Sequence, residues 1–198
     1  MLLLSAFLGQ LFVPGISWTQ NGMWVSAYYA GWMQGSGPDK LPATMIDFGG
    51  VTQIIHFSII PNLDGTIDDQ SNSMGAGPAS EIVQAGHAAG KKVLVSVGGS
   101  DTETKYVSAT STAHRATFIA NLLSRVSARS YDGIDIDWEP IADSDTAQFA
   151  AFVSDLRSAM TNQNPALVLT AAVGWEPAFF ARIAGKFDQI NLMTYDMS

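Results

Sequence analysis

Three carboxylates stand two residues apart in the segment YDGIDIDWEP, residues 131–140: Asp135, Asp137 and Glu139. Side chains alternate along a β-strand. On a strand these three therefore share one face, and Ile134, Ile136 and Trp138 share the other. Neighbours on that face lie about 6–7 Å apart, and in a partly dry site such carboxylates cannot all ionise freely. One or two are expected to keep a proton above the ordinary carboxylate range. A carboxyl protonated near neutral pH is what a general acid requires. A calcium loop also spaces acids this way, but an EF-hand loop needs a glycine after its acidic positions and a glutamate farther on. Ile and Trp between the acids suit a strand better, so the row reads as catalytic rather than as an ion loop or a solvated edge.

An acidic row faces inward only if helices cover the other face of its strand, and the flanking sequence supplies them. Strand signals occur at residues 25–29 (VSAYY), 51–60 (VTQIIHFSII), 92–97 (KVLVSV), 133–138, 166–173 (ALVLTAAV) and 189–194 (QINLMT). Between them lie helical patterns at 78–89, which stops at Gly90, and at 112–129, where Phe118, Leu122 and Val126 recur with Ile119 and Leu123 beside them. A third helix, capped by Asp143 or Ser144, has an apolar face of Phe149, Phe152, Val153, Leu156 and Met160. A short helix at 177–184 precedes the last strand. Continuous apolar strands alternating with amphipathic helices predict a parallel sheet of six strands covered on its outer face. An open doubly wound sheet would need a phosphate-binding glycine fingerprint, and Gly98-Gly99 lacks the further glycine. Tyr28, Ser96, Asp137, Glu139, Tyr195 and Asp196 all fall at C-terminal strand ends, which is how a (β/α)8 TIM barrel builds its site.

The segment 132–139, DGIDIDWE, resembles the D-G-x-D-x-D-x-E signature of glycoside hydrolase family 18, the chitinase family. Ser96-Val97-Gly98-Gly99 is similar to the family's S-x-G-G motif, and Met193-Thr194-Tyr195-Asp196 to its M-x-Y-D motif. Tyr28-Tyr29 looks like its opening strand. The resemblance implies hydrolysis of β-1,4-linked N-acetylglucosamine polymers, with the substrate's own acetamido oxygen attacking the anomeric carbon. It implies Glu139 as general acid and base, Asp137 as partner of the acetamido N–H, and Asp135 behind Asp137. Tyr195 would hold the acetamido oxygen for in-line attack. Met193 and Asp196 would line the same subsite, with Tyr28 and Ser96 at its base. Asp132 begins the strand and reads as structural. An endo-β-N-acetylglucosaminidase shares the motif and stays open as an alternative, as does a chitin-binding protein that does not cut. Trp32 and Trp175 follow strands and could stack on sugar or pack in the core, Trp175 leaning toward the cleft.

Composition bounds what else the chain can be. Its 198 residues carry 18 Asp and Glu against 10 Lys and Arg, a net charge of −8, which opposes binding to nucleic acid or an anionic membrane. It has no cysteine, which removes disulfides, thiolate metal sites and cysteine nucleophiles. No histidine pair has metal-ligand spacing, so neither metal nor cofactor is expected. His56 is expected as a satisfied barrel residue, and His87 and His114 as surface groups on helices. Residues 1–17 are uncharged and mostly apolar, with Gly15 and Ser17 placed for signal peptidase; they read as a secretion signal, with a buried strand or hairpin as the alternative. The rest, 18–198, is expected to hold a catalytic barrel exported from the cell. A complete (β/α)8 barrel takes about 250 residues, so six of eight strands are expected, with edges left unpaired. The resemblance also implies a tryptophan from an eighth strand, for which no residue here stands.

Overall fold

A computed structural model describes residues 24–174 and 177–195. The expected secretion signal therefore lies outside the described residues, as do Trp175 and Asp196. Among the described residues seven strands and five α-helices follow one another as β1 (Ser26–Ala30), β2 (Gln53–Pro61), β3 (Ile67–Asp68), α1 (Ala76–Ala88), β4 (Lys92–Gly99), α2 (Glu103–Ala109), α3 (Arg115–Arg129), β5 (Gly133–Trp138), α4 (Thr146–Gln163), β6 (Val168–Val173), α5 (Pro177–Ile183) and β7 (Gln189–Leu192). The six long strands pair in parallel in the order β1-β2-β4-β5-β6-β7, while the two-residue β3 pairs antiparallel with β2. This is the parallel α/β sheet expected for a TIM barrel cut after six strands.

The sheet is strongly curled. β1 and β7 stand at opposite ends of the strand order, yet Ser26 Oγ lies 3.4 Å from Gln189 Oε1, and Asn191 Nδ2 donates to the Tyr28 hydroxyl at 3.2 Å. Side chains from the two ends thus meet across an enclosed interior. The convex face carries the main core. Val93, Val95 and Val97, then Ile134, Ile136 and Trp138, then Leu169, Ala171 and Val173 are buried beneath Ile82 and Val83 of α1, Phe118 and Leu122 of α3, and Phe149, Phe152 and Leu156 of α4. Trp138 stacks on Tyr106 of α2 at 4.7 Å with their planes 8° apart. A separate apolar cluster of Ile55, Leu94 and Val168 fills the concave side, the interior plug of a barrel rather than a pore.

Several elements differ from the sequence reading. The expected helix over 112–129 is α3, which starts at Arg115; seven-residue α2, at 103–109, was not expected, since it is too short to show a period and buries only Tyr106 and Ala109. Asp143 and Ser144 do not cap α4; with Asp145 they form a 3₁₀ turn, and α4 starts at Thr146, whose Oγ1 donates back to the Asp143 carbonyl at 2.9 Å. His114 stands just before α3 rather than inside a helix. His56 is buried on the convex side but only half satisfied: Nδ1 meets the Tyr131 hydroxyl at 2.7 Å, and Nε2 has no hydrogen-bond partner. His87 is exposed as expected and bridges to Asp132 at 2.8 Å.

Candidate active site

Register brings the acidic row into place. In the β4–β5 pairing Ser96 stands opposite Asp135 and Gly98 opposite Asp137; in the β5–β6 pairing Asp135 stands opposite Thr170. Ser96, Asp135 and Thr170 therefore form one concave row across three strands. Asp135 is fully buried and collects a hydroxyl from each side, Thr170 Oγ1 at 2.5 Å on Oδ1 and Ser96 Oγ at 3.1 Å on Oδ2. The Tyr28 hydroxyl reaches across from β1 to the same Oδ2 at 3.1 Å. Burial raises the Asp135 pKa, and the donors from Thr170, Ser96 and Tyr28 oppose that rise. Thr170 was missed in the sequence because an isolated threonine in an apolar strand carries no catalytic signal; only the register shows its partner.

One step toward the C-terminal end, Asp137 is also buried. Burial first, then the charges of Glu139 and Asp135, hold its carboxyl well above the ordinary range. Its Oδ1 has no hydrogen-bond partner although it is buried. An unpaired buried acceptor is costly, so this atom is poised for a donor brought by another molecule. Glu139 follows β5, and its backbone carbonyl accepts from Thr102 N at 2.9 Å and Glu103 N at 3.2 Å. The start of α2 thus pins the end of the row. Gly98 makes the approach possible: its φ is +105°, and a Cβ there would overlap the Asp137 carbonyl oxygen and come 2.7 Å from Tyr106 Cε2. The glycine after Asp132 is explained the same way, since a Cβ at Gly133 would overlap the Val168 carbonyl.

The rim is aromatic. The Tyr28 ring is 44% exposed while its hydroxyl points to Asp135; burial of that hydroxyl and the Asp135 charge push its pKa far up. Phe57 packs edge-on against Tyr28 at 6.2 Å and against Trp32 at 5.7 Å. Phe57 was hidden in the sequence among the apolar residues of β2. Trp32 is 44% exposed in a 3₁₀ turn after β1, so it is a rim residue and not a core one. Met193 follows β7, with its N–H donating to the Val173 carbonyl at 2.8 Å. Tyr195 lies beyond it, 67% exposed. Ser96, Asp135, Thr170 and Tyr28 form one hydrogen-bonded cluster, with Asp137 two residues further along β5; Met193 and Tyr195 sit on the more open β7 side. Asp132 is far down the strand. Its Oδ2 accepts from Val93 N at 2.7 Å and meets His87 Nε2 at 2.8 Å, ties that hold elements together rather than act on a substrate. Among the described residues no group of three or more acids and histidines is arranged to hold a metal ion. The arrangement can share one proton between adjacent carboxylates and present an unpaired acceptor beside an aromatic rim.

Comparison with known proteins adds to this geometry. The family profile described as "Glycosyl hydrolases family 18" matches residues 25–198. A "Probable endochitinase" of Caenorhabditis elegans is 36% identical over 119 residues, covering 53% of this chain and 19% of that protein. A "chitinase-like effector" of Moniliophthora roreri is 28% identical over 194 residues, covering 86% of this chain and 44% of that protein. The crystal structure of Ostrinia furnacalis Group IV chitinase in complex with allosamidin superposes with a TM-score of 0.74 at 26% identity, covering 87% of this chain and 51% of that one. The chain therefore spans about half the length of these relatives or less.

Proposed function

The chain belongs to glycosyl hydrolase family 18, and from that premise we propose that it contributes the catalytic face of a chitinase that hydrolyses β-1,4-linked N-acetylglucosamine polymers. The observation that carries this reading is the place of Asp137, buried beside Glu139 with an unpartnered Oδ1, where burial and its acidic neighbours raise its pKa. Two carboxylates this close hold one proton between them. When an acetamido N–H of the substrate donates to Asp137, Asp137 is better ionised, and the shared proton is favoured on Glu139. Glu139 then protonates the leaving glycosidic oxygen and afterwards takes a proton from the attacking water. Asp137 holds the acetamido group so that its oxygen attacks the anomeric carbon from within the sugar, and Tyr195 steadies that oxygen. Asp135 stands behind Asp137 and biases where the proton resides. Tyr28 and Ser96 orient Asp135; Met193 and Trp32 line the sugar path, and Asp196 and Trp175 are assigned to substrate binding by their place in the sequence alone. Chito-oligosaccharides are the partner this reading names, and export from the cell is its setting.

Hydrolysis of a chromogenic chitobioside, measured beside release from an N-glycan substrate, tests it. Turnover of the chitobioside that disappears in Glu139→Gln is the expected result. Cleavage of the N-glycan alone would move the assignment to an endo-β-N-acetylglucosaminidase. A second reading, chito-oligosaccharide binding without cleavage, is favoured by one feature: the β7 side is open, with Leu192 66% and Tyr195 67% exposed. Saturable oligosaccharide binding with no turnover of either substrate would establish that reading.

A further inference from the structure

Below the carboxylates, the inside of the sheet carries a run of uncharged polar side chains that the reaction above does not use. Gln53 Nε2 of β2 donates to Ser26 Oγ of β1 at 2.7 Å and lies 3.2 Å from Gln189 Oε1 of β7. Ser26 Oγ lies 3.4 Å from the same Gln189 Oε1. Gln189 Nε2 donates to Asn191 Oδ1 at 2.5 Å, Asn191 Nδ2 donates to the Tyr28 hydroxyl at 3.2 Å, and the Tyr28 hydroxyl donates to Asp135 Oδ2 at 3.1 Å. Each amide is thereby oriented by the one before it, since an amide oxygen only accepts and an amide nitrogen only donates. Gln53 turns its nitrogen to Gln189, so Gln189 offers an oxygen there and its nitrogen to Asn191, with a second, longer donation from that nitrogen to Ser26 Oγ at 3.2 Å. Asn191 must then accept from Gln189 and donate to Tyr28. A tyrosine has a single hydroxyl proton. With Asn191 donating to its oxygen, that proton has one destination left, Asp135.

We propose that Gln53, Ser26, Gln189 and Asn191 form a one-way relay of donors that commits the Tyr28 proton to Asp135, which makes Gln53 and Gln189 positioning residues for the carboxylate row. Hydrogen bonding to a carboxylate favours its charged form, so the relay counters the effect of burial on Asp135. The groups facing Asp135 are Asp137 along its own strand, Tyr28 from β1 and Tyr106 from α2, with uncharged donors from Ser96 of β4, Thr170 of β6 and Asn191 of β7. The geometry shows no cation compensating for a lost donor among these groups. The consequence for turnover rests on the chitinase reading; the consequence for Asp135 does not.

The test is an infrared titration of aspartate carboxyl groups in the full 198-residue chain labelled with ¹³C-aspartate, with the Asp135 band assigned by its loss in Asp135→Asn. It needs neither substrate nor turnover. Gln189→Glu is close in shape but presents only acceptors when ionised. Asn191 must then turn its nitrogen toward the introduced carboxylate, its oxygen faces Tyr28, and the Tyr28 proton goes to Asn191. The Asp135 ionisation is expected to move upward by about one pH unit, the size of losing one hydrogen bond to a charged group. Gln189→Leu, which releases Asn191 without forcing it over, should give a smaller shift in the same direction and serves if the charged variant fails to fold. Parent-like titration of Asp135 in either folded variant overturns the relay. A shift in a chain that cleaves no chito-oligosaccharide would keep the relay and remove the chitinase reading.

Discussion

Glu139 ends the acidic row where the start of α2 grips the backbone of β5, so it is the carboxyl with most access to a bond lying above the row. Glu139→Gln should abolish chitobioside turnover, by about 10²–10⁴-fold or more, while oligosaccharide affinity stays largely intact. Calorimetry beside the rate assay checks both halves, and turnover within about tenfold of the parent would contradict the role. Asp137 and Asp132 offer a sharper contrast. Asp137→Asn removes the proton-sharing partner and should depress kcat/KM on one substrate. Asp132→Asn removes the charge that ties it to His87 and weakens its hold on Val93 N, and should instead cost about 1 kcal/mol of stability, read in urea unfolding, with kcat/KM little changed. Equal losses of kcat/KM in the two would mean the strand presents its side chains otherwise. At this scale the acidic row was legible in the sequence, because two-residue spacing is a property of any strand. Thr170, Phe57 and the two glutamines were not. Their placement depends on which residue of a neighbouring strand stands opposite, and no local pattern encodes that.

The elements meet where one strand must come unusually close to another. Gly98 is one such place, with a left-handed φ and the Asp137 carbonyl where a side chain would begin. Gly98→Ala must push β4 away from β5, so a stability loss of at least about 2 kcal/mol is expected, together with loss of turnover. Thermal unfolding that leaves Tm within about a degree of the parent would show that the strand ends have room to spare. Helix boundaries illustrate what sequence periods can and cannot carry. α3 is long enough for its repeat of Phe118, Leu122 and Val126 to be read directly, whereas α2 is less than two turns and carries no repeat to read. β2 adds a pH effect of its own. Burial, with Arg129 nearby, pushes His56 down to about 3. The unfolded chain takes up this proton near pH 6.5 and the folded one does not. Stability from His56 is therefore complete above about pH 6.5 and is lost as pH falls toward about 3, by as much as a few kcal/mol. His56→Gln should flatten the acid limb of a urea-midpoint profile; an unchanged slope between those values would assign the acid sensitivity elsewhere.

Across the whole molecule, six parallel strands curl far enough for β1 and β7 to exchange side-chain hydrogen bonds, yet among the described residues no strand pairing joins them. Alternation of strand and helix made this architecture legible, and the curl was legible only indirectly, through polar residues gathered at strand ends. The open edges follow from the pairing alone. Among the described residues β1 pairs with β2 on one side and β7 with β6 on one side, which leaves the outer edge of each without a partner strand there. β7 is the more vulnerable: it is four residues long, none of them fully buried, and Leu192 is 66% exposed at its end. Edges of this kind pair with other chains unless charge or proline blunts them. The 198-residue polypeptide by itself is therefore expected to self-associate, at a net charge of −8 that is too diffuse to guard one strand. Leu192→Lys places a cation on that edge and removes exposed apolar surface, and should shift the population toward monomer in size-exclusion chromatography at equal loading. Deuterium exchange locates the contact. Protection of amides 189–192 that appears on association and is lost in Leu192→Lys is the expected pattern, whereas a monodisperse parent with rapidly exchanging β7 amides would show that the curled sheet shields its own edges.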